Sequence, residues 1–110
     1  HLIYAGFDEM MLPATVLGVD GAIGSTFNVN GIRARQIFEL AKEGKINESL
    51  EIQHVTNDLI SAILGNGLYP TIKELLKLSG VNSGYCHRPM ASANEKQVAV
   101  AKEIFDKYLK

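Results

Sequence analysis

One cysteine is all the sequence offers, so Cys86 has no internal disulfide partner. A lone free thiol suits a reducing compartment and points to the cytoplasm. Cys86 reads as a free buried thiol; no neighbouring group marks it as a nucleophile. Charge of one sign is equally scarce: 11 Lys and Arg stand against 12 Asp and Glu, for a net charge of -1. No basic excess exists to neutralise phosphates, which leaves nucleic-acid binding without electrostatic support. Long apolar runs are missing too. The most apolar stretch, Met10 to Val19, is interrupted by Pro13 and Gly18, well short of the roughly 18 residues a membrane span needs. The opening residues do not have the charged-then-apolar pattern of a signal peptide. His1, His54 and His87 show no metal-ligand spacing with one another or with Cys86. No Ser, His and carboxylate set suggests a hydrolase triad.

What is present is an ordinary globular composition, 46% hydrophobic and 21% charged over 110 residues, enough for one domain. His1 to Ala5 is a short, partly β-branched apolar run ending at Gly6, which predicts a buried strand. Because the chain opens on such a run, it reads as a fragment of a larger domain. Asp8 is of a type favoured at helix starts. Met10 to Leu17 predicts a short helix with Pro13 in its first turns and Gly18 at its close. Val19 to Ile23 predicts a second strand, and Gly24 to Asn28 a turn. The remainder reads helical. One apolar face includes Ile32, Ile37, Phe38, Leu40 and Ala41, closed by Gly44. A second follows a cap at Asn47 and runs from Leu50 to Leu64. A shorter helix extends from about Tyr69 to Leu78, and Val81 to Ala91 forms a loop. Ser92 with Glu95 gives a capping-box pattern for the last helix. Two strands joined by a helix imply a parallel βαβ unit. A parallel sheet needs both faces covered and more strands than two, so this piece reads as an arc of a larger sheet or barrel.

In parallel α/β folds, ligands collect at the carboxyl ends of strands. Two loops fall there: Gly6-Phe7-Asp8-Glu9 and Gly24-Ser25-Thr26-Phe27-Asn28. Asp8 and Glu9 can accept several hydrogen bonds from a polyol, Gly6 admits close approach, and Ser25 can donate and accept. Competing readings remain open. Asp8 serves equally well as an N-cap, Glu9 as a first-turn acid, Ser25 as a turn hydroxyl and Tyr69 as a packed aromatic. The Gly-Ser-Thr turn lacks the lysine of a phosphate loop. Arg33 and Arg35 read as a solvated face, and His54 as a surface or core-edge residue. All eight lysines lie on helices or their ends, none in an apolar pocket at a strand end where an amine becomes nucleophilic.

The run Tyr4 to Glu9, followed by Gly18 to Asn28, resembles the last third of the N-acetylneuraminate lyases, the sialic acid aldolases of the dihydrodipicolinate synthase superfamily. The similarity continues through His54 to Leu59 and Gly84-Tyr85-Cys86. It implies an α/β fold: the carboxy-terminal part of a (β/α)8 TIM barrel, with His1 to Ala5 as strand seven and Val19 to Ile23 as strand eight. Residues 1–45 would be the last two βα units, and residues 46–110 a carboxy-terminal helical extension. The implied reaction is reversible aldol cleavage of N-acetylneuraminate to N-acetylmannosamine and pyruvate through a lysine Schiff base, with no cofactor or metal. The implied substrate-binding residues are Gly6, Asp8, Glu9, Ser25 and Tyr69. The Schiff-base lysine, the proton-transfer tyrosine and the loop that grips the pyruvate carboxylate would all precede His1, so the chain alone would be inactive. The full-length enzyme would be a cytoplasmic homotetramer. Glu9, an extra acceptor for a polyhydroxylated substrate, favours sialic acid over the aspartate semialdehyde of a dihydrodipicolinate synthase. The other alternative is a helical interaction module with no enzymatic role.

Overall fold

A computed structural model describes all residues from His1 to Lys110. The chain divides into two compact units, residues 1–58 and 59–110.

The first unit begins with β1 (Tyr4–Ala5), a 3-10 turn (Asp8–Met10) and α1 (Met11–Val16), then β2 (Gly21–Ala22) and α2 (Phe27–Lys42). The strands pair in parallel, Tyr4 opposite Gly21 and Ala5 opposite Ala22. Asp20 closes one end of this ladder: its N–H donates to the Ile3 carbonyl at 2.8 Å, and its carboxylate accepts from the Ile3 N–H at 2.7 Å. The predicted βαβ unit is therefore present, but its strands are shorter than the apolar runs that announce them. Nor is the first buried. Leu2, Ile3 and Tyr4 are exposed, because β1 pairs only with β2 and apolar side chains are buried only by what covers them.

Pro13 sits in the first turn of α1, where its missing N–H costs no helical bond, and Gly18 ends the helix at φ +96. The second helix starts at Phe27, earlier than its apolar face suggests. Its first turn is set off by Asn30, at φ -125 and ψ 23, a break within α2. Met11 and Leu12 of α1 form a core with Ile37 and Ala41 of α2, with Phe27, Phe38, Ala22 and Ile52 packed against it. Gly44, at φ +77, follows α2 where a helix stop was expected. The next helix, α3 (Ile46–Gly65), already includes Asn47, so that residue lies inside the first turn and does not cap it.

The division between the units falls within α3. The second unit comprises the rest of that helix, α4 (Leu68–Leu78) and α5 (Glu95–Tyr108). Ile72 and Leu75 of α4 and Ala101 and Ile104 of α5 are buried, and these two helices pack together. The last helix is capped by Asn94, not Ser92. The Asn94 side chain accepts from the Gln97 N–H at 2.9 Å, and the Gln97 side chain accepts from the Asn94 N–H at 3.0 Å. This is the reciprocal arrangement predicted, two residues later. Gln97 also exchanges bonds with Asn66: its amide donates to the Asn66 carbonyl at 2.8 Å and its carbonyl accepts from the Asn66 amide at 2.9 Å. Those bonds fix the register of the cap. Cys86 is free but only partly buried, in the loop before α5. No helix is long and apolar enough to cross a membrane.

Candidate functional site

Parallel pairing puts the carboxyl ends of β1 and β2 at one end of the sheet. The first of the two loops there is the 3-10 turn that follows β1. Asp8 opens this turn, yet the N-cap residue is Phe7 and no side chain caps it. The Asp8 carboxylate turns instead to the other loop. Its Oδ2 accepts from the Thr26 N–H at 3.0 Å and from the Thr26 hydroxyl. Thr26 is the N-cap residue of α2, so Asp8 serves a helix start after all, that of α2 and from 18 positions away. A carboxylate there satisfies an orphan donor and meets the positive end of the helix dipole. Both partners are buried, Asp8 at 8% exposure and Thr26 at 3%.

Gly24 makes this tie sterically possible. A Cβ at position 24 would stand 1.6 Å from Asp8 Oδ1 and 2.3 Å from its carboxyl carbon. The carboxylate occupies the space where a side chain would begin, so the two loops close on each other only if residue 24 has none.

The other predicted residues fall as follows. Gly6 is exposed just after β1, and a Cβ there would meet open space. That leaves room for a ligand to approach the backbone. Glu9 follows Asp8 in the same turn and is half-buried. Ser25, also half-buried, lies between Gly24 and Thr26, and its carbonyl accepts from the Asn28 amide at 2.9 Å. Neither the Glu9 carboxylate nor the Ser25 hydroxyl takes part in the bonds that fix Asp8. The structure thus brings the two loops together through Asp8 and leaves Glu9 and Ser25 beside the tie. Tyr69 stands in α4, in the second unit, 47% exposed; it is not a packed aromatic.

Several residues that shape this region are not picked out as site residues by the sequence. Thr26 is one. Gln53, Thr56 and Asn57 on α3 are others. The Gln53 side chain accepts from the Leu12 N–H at 2.9 Å, and Thr56 accepts from the Asn30 amide at 3.2 Å. Their partners are 41 and 26 positions away, beyond the reach of any local pattern. Arg33 donates to Asn30 at 3.1 Å. Arg35 pairs with Glu39 at 2.8 Å, and that hydrogen bond raises the guanidinium pKa above its ordinary value. The Arg35 pair is an exposed helix-surface contact, in keeping with a solvated face, whereas Arg33 is half-buried and its partner Asn30 is buried. An apolar groove of about 230 Å³ lies between β2 and α2, lined by Met11, Ala22, Phe27, Ala34 and Phe38 among others. It contains none of the predicted site residues. No group of three His, Cys, Asp or Glu side chains is placed to hold a metal ion.

This chain is similar to known proteins over nearly its whole length. The N-acetylneuraminate lyase of Histophilus somni (strain 2336) is 76% identical over 110 residues, covering 99% of this chain and 38% of the relative. A crystal structure of N-acetylneuraminate lyase from Fusobacterium nucleatum complexed with pyruvate superposes with a TM-score of 0.95 at 70% identity, over 99% of this chain and 37% of that one. CdNal from Clostridium difficile, solved in complex with mannosamine, gives 0.96 at 71% identity, over 98% and 37%. The chain spans about 38% of the length of the curated relatives it matches. The dihydrodipicolinate synthetase family matches residues 1–107, nearly the whole sequence, and to that α/β family this chain belongs.

Proposed function

We propose that this chain is the sugar-binding part of an N-acetylneuraminate lyase, a class I aldolase that cleaves N-acetylneuraminate to N-acetylmannosamine and pyruvate. In this reading β1 and β2 are strands seven and eight of a (β/α)8 barrel. Residues 1–45 are its last two βα units and residues 46–110 a helical extension. The observation that carries the reading is the Asp8–Thr26 tie. It draws together two strand-end loops and leaves Glu9 and Ser25 next to each other's loop with their polar groups outside the tie. Identity of 76% to a lyase over this segment supports the choice of substrate.

Aldol cleavage of a keto acid needs an electron sink for the developing carbanion, which a lysine Schiff base supplies. The lysines of this chain lie on helices or in the turns that adjoin them, so the nucleophile is assigned to a part of the enzyme outside these residues. The task of this segment is orientation. Asp8 holds the loops, Glu9 and Ser25 accept and donate hydrogen bonds to sugar hydroxyls, and Gly6 lets the substrate lie close to the backbone. Tyr69, in the second unit, is the remaining residue assigned to substrate binding. Hydrogen bonds to a charged group of this kind contribute about 1.5–3 kcal/mol each, roughly a tenfold to hundredfold change in affinity. The enzyme is assigned to the cytoplasm, as a homotetramer that needs no metal.

The test uses the full-length protein that contains this segment. Glu9→Ala should raise KM for N-acetylneuraminate by about tenfold or more, and Ser25→Ala, which removes a neutral hydroxyl, by roughly twofold to tenfold. Borohydride in the presence of pyruvate should trap a lysine outside residues 1–110, and the 110-residue chain alone should release no pyruvate. Unchanged kinetics in both variants, or cleavage by the isolated chain, would overturn the proposal. Turnover of aspartate semialdehyde with pyruvate in place of sialic acid would move the assignment to dihydrodipicolinate synthesis.

A further inference from the structure

The turn that carries Asp8 and Glu9 is braced by two amides of α3. Gln53 is 3% exposed. Its Oε1 accepts from the Leu12 N–H at 2.9 Å, and its Nε2 donates to the Asp8 carbonyl at 3.3 Å and to Asn57 Oδ1 at 2.8 Å. Asn57 in turn donates from Nδ2 to the Glu9 carbonyl at 3.4 Å. Gln53 and Asn57 are four residues apart, so they share one face of α3. The short bonds anchor the two amides, to each other and to the first turn of α1. The two longer ones rest against the carbonyls of the acidic residues.

Every one of these contacts to the turn is to backbone. None takes up a carboxylate, so Asp8 remains available to Thr26 and the Glu9 side chain stays outside the network. If Gln53 only filled space, an apolar residue of similar volume would avoid the cost of burying an amide. What the amides add is direction: they fix the carbonyls of residues 8 and 9, and with them the line along which each side chain leaves the backbone. We infer that Gln53 and Asn57 are positioning residues that aim the Glu9 carboxylate at the substrate's hydroxyls and so set selectivity for a long polyol. This inference rests on the lyase reading of the same site. Loss of a hydrogen bond to a charged group changes affinity by roughly tenfold or more, so modest slack in this brace is enough to register.

A double-mutant cycle in the full-length enzyme tests it. Gln53→Leu and Asn57→Leu should each raise KM for N-acetylneuraminate by about tenfold, with kcat changed by no more than about twofold. In a Glu9→Ala background the same substitutions should add little, because the group they aim is gone. Asn57→Asp, at a half-buried position, keeps the acceptor for Gln53 Nε2 and loses the donor to the Glu9 carbonyl; it should reproduce the KM effect, and it decides the matter if the leucine variants fold poorly. Full additivity with Glu9→Ala, or an unchanged KM in Asn57→Asp, would overturn the inference. If the unmutated enzyme does not cleave N-acetylneuraminate, the lyase reading itself fails and this inference falls with it. If the enzyme cleaves and Glu9→Ala raises KM while the α3 variants do not, only the inference fails.

Discussion

The two units of this chain bury different kinds of residue. In the second, α4 and α5 meet through Ile72, Leu75, Ala101 and Ile104. In the first, aliphatic packing is interleaved with buried polar groups: Asp8, Thr15, Thr26, Asn30, Ser49, Gln53 and Thr56. Thr71 is the buried polar residue of the second unit. Apolar burial is non-directional and tolerates small shifts, whereas a buried hydrogen bond fixes an angle and is costly to leave unmade. Stability in the second unit is thus a matter of filled volume. In the first it is tied to the geometry of the proposed site.

Substitutions can break that contrast. The largest effect is expected from Leu75→Ala, which removes a fully buried side chain and should lower the stability of the full-length protein by about 2–5 kcal/mol. Urea denaturation measures the loss, and KM for sialic acid should hardly move. Thr26→Val should cost about 1.5–3 kcal/mol by leaving the buried Asp8 carboxylate one donor short. It should raise KM as well, and Thr26→Ser should restore both. If Leu75→Ala shifts KM as much as Thr26→Val does, the contrast between the units is wrong. Asn94→Ala removes the α5 cap and should cost about 1 kcal/mol, seen as a lower thermal midpoint with unchanged kinetics. Glu39→Ala breaks an ion pair exposed on both sides and should leave the denaturation midpoint where it was; a clear shift would show that this helix surface matters more than its exposure implies.

The same contrast explains what could be read from the residues in advance. The α4 bounds follow from a local apolar stripe ended by Ser79-Gly80, and the observed Leu68–Leu78 differs by a residue at one end. Parallel pairing of β1 with β2 follows from chain order, since a helix joins the two strands. The error at the last helix was one of choice between neighbours. Ser92–Glu95 and Asn94–Gln97 both have the right spacing, and the Asn66–Gln97 exchange, 31 positions apart, selects the second. Asp8 was legible as a carboxylate near a helix start, but not which helix. Its partner Thr26 lies across the βαβ crossover. Gln53 and Asn57 were invisible for the same reason, since a polar residue on a helix looks solvent-facing until the opposing backbone is in place. Burial of the first strand failed differently: an apolar run states what a segment can bury, not what is there to bury it.

Gly24 and Asp8 constrain how such a protein can be redesigned. With the carboxylate already filling the volume beside the Gly24 α-carbon, a library that randomises position 24 alone will return glycine, and one that randomises position 8 alone will sample only residues short enough to lie over a bare backbone. New specificities at this rim become reachable when both positions change together, for instance a shorter residue at 8 paired with a side chain at 24 that supplies the acceptor from the opposite loop.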